Sequence, residues 1–175
     1  MRRLNSGKRG QVWVETVIYT LIGLAIMGLV LAVALPKINQ KKDEVSINQA
    51  MDALQKINSK VYEVQKAVGN RRIIDLSIGN GKVIIDMDED TISWILESSF
   101  KYSEPGVAYS QGGINVTTTA ADPWNVELKL GYAADIQYDE QTAGTKEIDL
   151  GDYELSIENV GKNANDNIVV TLKAS

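Results

Sequence analysis

Neither cysteine nor histidine occurs among the 175 residues. The first absence excludes a disulfide framework, thiol catalysis and cysteine-ligated metal. The second removes at once the commonest general base, the commonest metal ligand and the usual pH switch. Carboxylates and lysines alone can still run an enzyme, but no nucleophile–base arrangement stands out, so the chain reads as a non-enzyme with no cofactor. Acid is missing from the first ten residues, which carry Arg2, Arg3, Lys8 and Arg9. Without those four, 14 Lys and Arg stand against 23 Asp and Glu, a net charge of −9 for the remainder. So acidic a body argues against nucleic-acid backbones and anionic membrane surfaces as partners. Fixed-period repeats and low-complexity tracts are also lacking, and the composition is that of a folded chain.

What is present begins with an apolar run. Val12–Leu35 spans 24 residues, and Glu15 is its only charge. As a helix rising ~1.5 Å per residue the run measures roughly 36 Å, enough to cross a hydrocarbon core of ~30 Å. The basic leader predicts a cytoplasmic N-terminus, although Lys37, Lys41 and Lys42 follow the run on its other side. A secretory cleavage site at Ala32, Ala34 and Pro36 is disfavoured, because the run exceeds an h-region of ~7–15 residues. A carboxylate at mid-membrane costs ~2.5–3.5 kcal/mol and less near an edge. Glu15 lies four residues after Gln11, about 6 Å along the axis, which places it near the cytoplasmic interface. The plain account of it is a helix-start acid favoured by the macrodipole. Gly28 and Ala32 form a small-xxx-small pair that lets helices approach closely, though Gly and Ala are also simply common in spanning helices. Pro36 is expected to end or kink the helix.

Beyond the run about 140 residues remain, room for one modest core. From Ile38 to Val68 the period becomes that of an amphipathic helix: Ile47, Ala50, Met51, Leu54, Ile57, Val61, Val64 and Val68 form one stripe. Gly69-Asn70 supplies a stop. The period then changes to two. Ile74, Leu76 and Ile78 alternate, Gly79-Asn80-Gly81 reads as a tight turn, and Val83, Ile85 and Met87 resume the alternation, which predicts a hairpin. Further strands are expected at 91–96, 114–119, 126–132, 136–138, 147–149, 153–159 and 168–173. The fold class is therefore α+β: a long N-terminal helix, half transmembrane and half amphipathic, followed by an antiparallel β-sandwich-like head. The expected organisation is a leader (1–10), a spanning helix (11–35), a stem helix packing on the head (36–69) and the head itself (70–175).

Four constellations bear on chemistry. Asp86, Asp88 and Asp90, with Glu97 at the twelfth position from Asp86, match the acidic positions of a calcium loop. Thr91 stands where that loop needs glycine for its sharp turn, so the expectation is no metal site, with these three aspartates a weak candidate. Gly79-Asn-Gly-Lys82 lacks the spacing of a phosphate loop and reads as a turn. Asn115-Val116-Thr117 is the only N-x-[ST] sequon, which makes Asn115 a candidate glycan acceptor if the head lies outside the cell. Trp94, Tyr102, Tyr109, Trp124, Tyr132 and Tyr138 suit core and cross-strand pairs better than a sugar platform.

Lys8-Arg9-Gly10, then Gln11, then Glu15 five residues into the chain that a cut after Gly10 would leave, then the apolar run and an amphipathic helix: this order resembles the class III signal of type IV pilins, in its archaeal form. The resemblance covers about 60 residues. It implies cleavage between Gly10 and Gln11 by a prepilin peptidase, extraction from the membrane by an assembly ATPase and a membrane platform protein, and growth of a homopolymer with other pilin subunits. It further implies that Glu15 neutralises the new N-terminal amine of a neighbouring subunit. The localisation that follows is the cell membrane as a precursor, then an extracellular filament used for adhesion or surface attachment. Two other readings stay open: a single-pass surface protein with a β-sandwich binding module, and a carboxylate-dependent hydrolase on a membrane stalk.

Overall fold

The computed structural model describes residues 7–175, with side chains from Trp13 onward. One helix, α1 (Gly7–Val64), runs for 58 residues and is followed by ten strands. The chain divides between Lys41 and Lys42 into two units.

The first unit contains the apolar half of α1. Every side chain from Trp13 to Val33 is exposed, and an 18-residue window here reaches a mean hydropathy of 2.5 with none of it buried. α1 does not end at Pro36, which lies inside it. Proline removes one i→i−4 bond but is compatible with helical dihedrals, so long helix-forming flanks can carry the helix through it.

The second unit is the head together with the amphipathic half of α1. Seven stripe residues, Ile47, Ala50, Met51, Leu54, Ile57, Val61 and Val64, are all 3 % exposed or less. Val68, the eighth, is 69 % exposed, because the helix stops at Val64. There the Asn159 side-chain amide donates to the Val64 carbonyl (3.2 Å), and Gly69 takes a left-handed conformation (φ 80°) that turns the chain into β1. A side chain thus satisfies one of the carbonyls that any helix end leaves bare.

β1 (Arg71–Ile78), β7 (Asp135–Tyr138), β9 (Gly151–Lys162) and β10 (Ile168–Ala174) form a four-stranded sheet in the order β1-β9-β10-β7. β2 (Lys82–Asp86), β3 (Thr91–Ser98), β4 (Tyr109–Gln111), β5 (Ile114–Thr119), β6 (Trp124–Gly131) and β8 (Thr145–Ile148) form a six-stranded sheet in the order β4-β5-β6-β3-β2-β8. Pairing is antiparallel except between β7 and β10. Buried and exposed residues alternate along β5 and β6, as the period-two pattern requires of a sheet with one solvated face. The inner faces of both sheets and the α1 stripe join in one apolar core that includes Leu54, Ile57, Trp94, Leu128, Ile157 and Leu172.

The hairpin expected of β1 and β2 does not form. β1 pairs with β9 and β2 pairs with β3 and β8, so Gly79–Gly81 is a corner between sheets. Strand alternation specifies a buried face, not a partner, and the corner is held by contacts from distant residues. Gly81 is left-handed (φ 76°), and a Cβ on it would lie 2.1 Å from the Ile95 carbonyl oxygen. The Trp94 indole N–H donates to the Asn80 carbonyl (2.9 Å). β4 was not anticipated: three exposed residues carry no periodic signal.

Candidate functional site

In the apolar half of α1 two side-chain hydroxyls bond one turn back within the helix, as a lipid-facing helix would require of its polar groups. The Tyr19 hydroxyl donates to a Glu15 carboxylate oxygen one turn earlier (3.3 Å). The Thr20 hydroxyl donates to the Thr16 carbonyl (2.9 Å), also four residues back. Tyr19 is the partner that sequence reasoning missed; its spacing of four from Glu15 was the available signal. Gly28 and Ala32 lie one turn apart on the exposed surface, and an added Cβ at Gly28 or Gly23 would meet nothing within 4 Å. Lys8, Arg9, Gly10 and Gln11 fall within α1, and their side chains lie outside the described residues, as does the leader over 1–6.

In the second unit the start of the stem is pinned to the strands. Asp43 accepts hydrogen bonds from the Ser99 amide (2.7 Å) and hydroxyl (2.5 Å) just after β3. At the other end, Glu63 contacts both Lys60 (2.7 Å) and Arg72 (3.4 Å). The hydrogen bond from Lys60 is the main reason its carboxyl titrates below the ordinary range. Between them, a polar cleft of about 370 Å³ is lined by Gln49, Asp52 and Lys56 of α1 and by Asp75 and Ser77 of β1.

The acidic segment after β2 is a structural turn. An Asp86 carboxylate oxygen accepts the backbone N–H groups of Asp88 and Glu89, each at 3.0 Å. Asp90 is left-handed (φ 52°) and accepts from the Ile136 amide (2.8 Å), tying the turn to β7. Glu89 is paired with Lys129 (2.7 Å), which holds the Lys129 ammonium above its ordinary value. The Asp86, Glu89 and Asp90 carboxylates thus each have a partner within the fold, and among the described residues no three acidic side chains converge on a metal-holding geometry.

The aromatic residues do not assemble a platform. Trp94 is buried at 3 % exposure, Tyr62 and Tyr132 lie 6.4 Å apart at a tilt of 60°, and Phe100 meets Tyr102 edge-on. Lys146 sits over the Tyr138 ring at 5.5 Å. Burial pushes the Tyr102 hydroxyl up to about 12, helped by Tyr109. Burial likewise raises Tyr132, whose hydroxyl has no hydrogen-bond partner among the described residues. Asn115 is exposed on β5.

Comparison with protein-family models, with curated proteins and with solved structures found no match. The class is therefore defined by architecture: a β-sandwich head carried on a long N-terminal helix whose first half is apolar enough to cross a membrane. Filament subunits and membrane-anchored proteins in general share this arrangement.

Proposed function

We propose that the chain is the structural subunit of a type IV pilus-like extracellular filament, of the archaeal kind, and not an enzyme. The observation that carries this reading is the contrast between the unburied apolar run of α1 and the single acid placed near its start. The precursor waits in the membrane with its basic leader inside, and prepilin peptidase cuts between Gly10 and Gln11. The assembly ATPase and platform protein then move the subunit out of lipid and into a homopolymer. There the apolar helices exchange lipid for one another, with Gly28 and Ala32 permitting close approach. Glu15 meets the amine freed on a neighbouring subunit and so fixes axial register. A buried carboxylate needs such a partner, because an unpaired charge in an apolar bundle is costly. The head faces solvent and serves adhesion or surface attachment.

The second reading, a single-pass surface protein with a binding module, rests on the same spanning length and needs no processing. Electron microscopy of surface filaments, with and without a Gly10 substitution, separates the two. The filament reading expects loss of filaments containing this chain, whereas unchanged filaments that still contain it refute that reading.

A further inference from the structure

We propose that Asn115 carries an N-linked glycan. The sequon Asn115-Val116-Thr117 is the only one in the sequence. The fold presents it outward: Asn115 is exposed between Ile114 and Val116, both fully buried, and Thr117 is two residues along on the same face. The Asn115 carboxamide makes no hydrogen bond with any described residue, so a sugar on its nitrogen displaces no structural contact. Its cross-strand neighbours on that face are Ser110 of β4 and Lys129 of β6, and Lys129 turns its ammonium to Glu89. Asn115 is the second residue after the β4–β5 turn, where Gly112 (φ 60°) and Gly113 (φ 85°) are both left-handed.

The position gives the glycan a role. β4 is an edge strand only three residues long, with one side of its backbone unpaired; Val107 just before it is 55 % exposed and Tyr109 within it is 37 % exposed. Free edges of this sort recruit strands from other chains. A glycan one strand inward stands over that edge and blocks such pairing where many heads are crowded together.

The donor is a lipid-linked oligosaccharide phosphate on the outer side of the membrane. The Asn115 amide nitrogen forms a bond to the anomeric carbon, the bond from that carbon to the phosphate oxygen breaks, and the lipid phosphate leaves with the electron pair. A transferase base takes the amide proton. No oxidant or reductant is needed.

The proposal rests on the head lying beyond the membrane, as the filament reading has it, so the test reads the two separately. Native full-length protein is purified from the cells that make it, and trypsin releases residues 102–129 as one peptide holding Asn115. The expected result is a peptide heavier than its polypeptide mass by sugar residues. The added mass should disappear in Asn115→Gln and Thr117→Ala and return in Thr117→Ser, which a merely structural role for Thr117 would not produce. The bare peptide mass in the native protein, or added mass that survives in Asn115→Gln, overturns the proposal. The intact mass of the same sample reports the N-terminus independently. A bare peptide on a chain that begins at Gln11 overturns the glycan alone, and a glycosylated peptide on a chain that keeps its leader supports the glycan but contradicts the filament reading.

Discussion

Leu24 and Leu54 are the same residue in the same helix, yet the first is 59 % exposed and the second 0 %. Burying a leucine is worth about 1.5–3 kcal/mol. The stem collects that gain inside its own chain, at Ile47, Leu54, Ile57, Val61 and Val64. The apolar half forgoes it at Leu21, Ile22, Leu24, Ile26, Met27 and Leu29, all of them at least half exposed. One half is therefore complete as a folded unit, and the other is complete only with something apolar around it, which the proposed function supplies as lipid and then as neighbouring subunits.

The contrast can be broken most forcefully in the stem. Leu54→Ala should cost the head about 2–5 kcal/mol, the range for emptying a packed leucine site, read as a lower urea midpoint of the full chain in detergent. Leu24→Ala should leave that midpoint unchanged. Equal losses from the two would contradict the division of roles.

Glycines sharpen the same contrast at the next level. Gly81→Ala forces a side chain into a left-handed position against the Ile95 carbonyl, and should cost roughly 1–3 kcal/mol from backbone strain alone. Gly28→Ala meets nothing within the chain, so head stability should hold while filament yield falls. A Gly28→Ala protein that assembles normally would remove the close-packing role of that position.

The smallest effect concerns Glu63. Its folded-state carboxyl titrates low because of Lys60, with Arg72 adding to the shift. A depressed pKa stabilises above the unfolded value, and the contribution is lost as pH falls through the folded one. The urea midpoint of Glu63→Gln should therefore be slightly lower than wild type at neutral pH and converge with it in acid. The gap should be small, since the Glu63 side chain is partly exposed and its pairs are screened. A gap that widens in acid would reverse the assigned sign.

Much of this was legible beforehand, for reasons that differ by element. The α1 stripe and the alternation of β5, β6 and β9 are periodic, and periodicity reports which side of an element is buried. It does not report partners, which is why β1 and β2 were expected to pair with each other and instead belong to different sheets. The corner between them depends on Ile95 and Trp94, which come later in the chain and become neighbours only once β3 is in place. The end of α1 is capped by Asn159, 95 residues away from Val64. The parallel β7–β10 pair is equally non-local. In the candidate site, Glu15 and the Gly28/Ala32 pair were visible as exceptions within an apolar run, but the Tyr19 hydroxyl beside Glu15 was passed over as one more apolar-run residue. Thr91 in place of glycine argued in advance against a cation loop at the acidic turn, but spacing alone does not show that Asp86 and Asp90 accept from backbone amides.

The central claim, that the apolar half of α1 is a polymerisation element held temporarily in the membrane, is tested most directly by the intact mass of the chain in sheared surface material and in membranes. The account predicts a chain beginning at Gln11 in the sheared fraction, with any chain that still carries the leader (1–10) confined to membranes. A chain found only with its leader, and only in membranes, would contradict it.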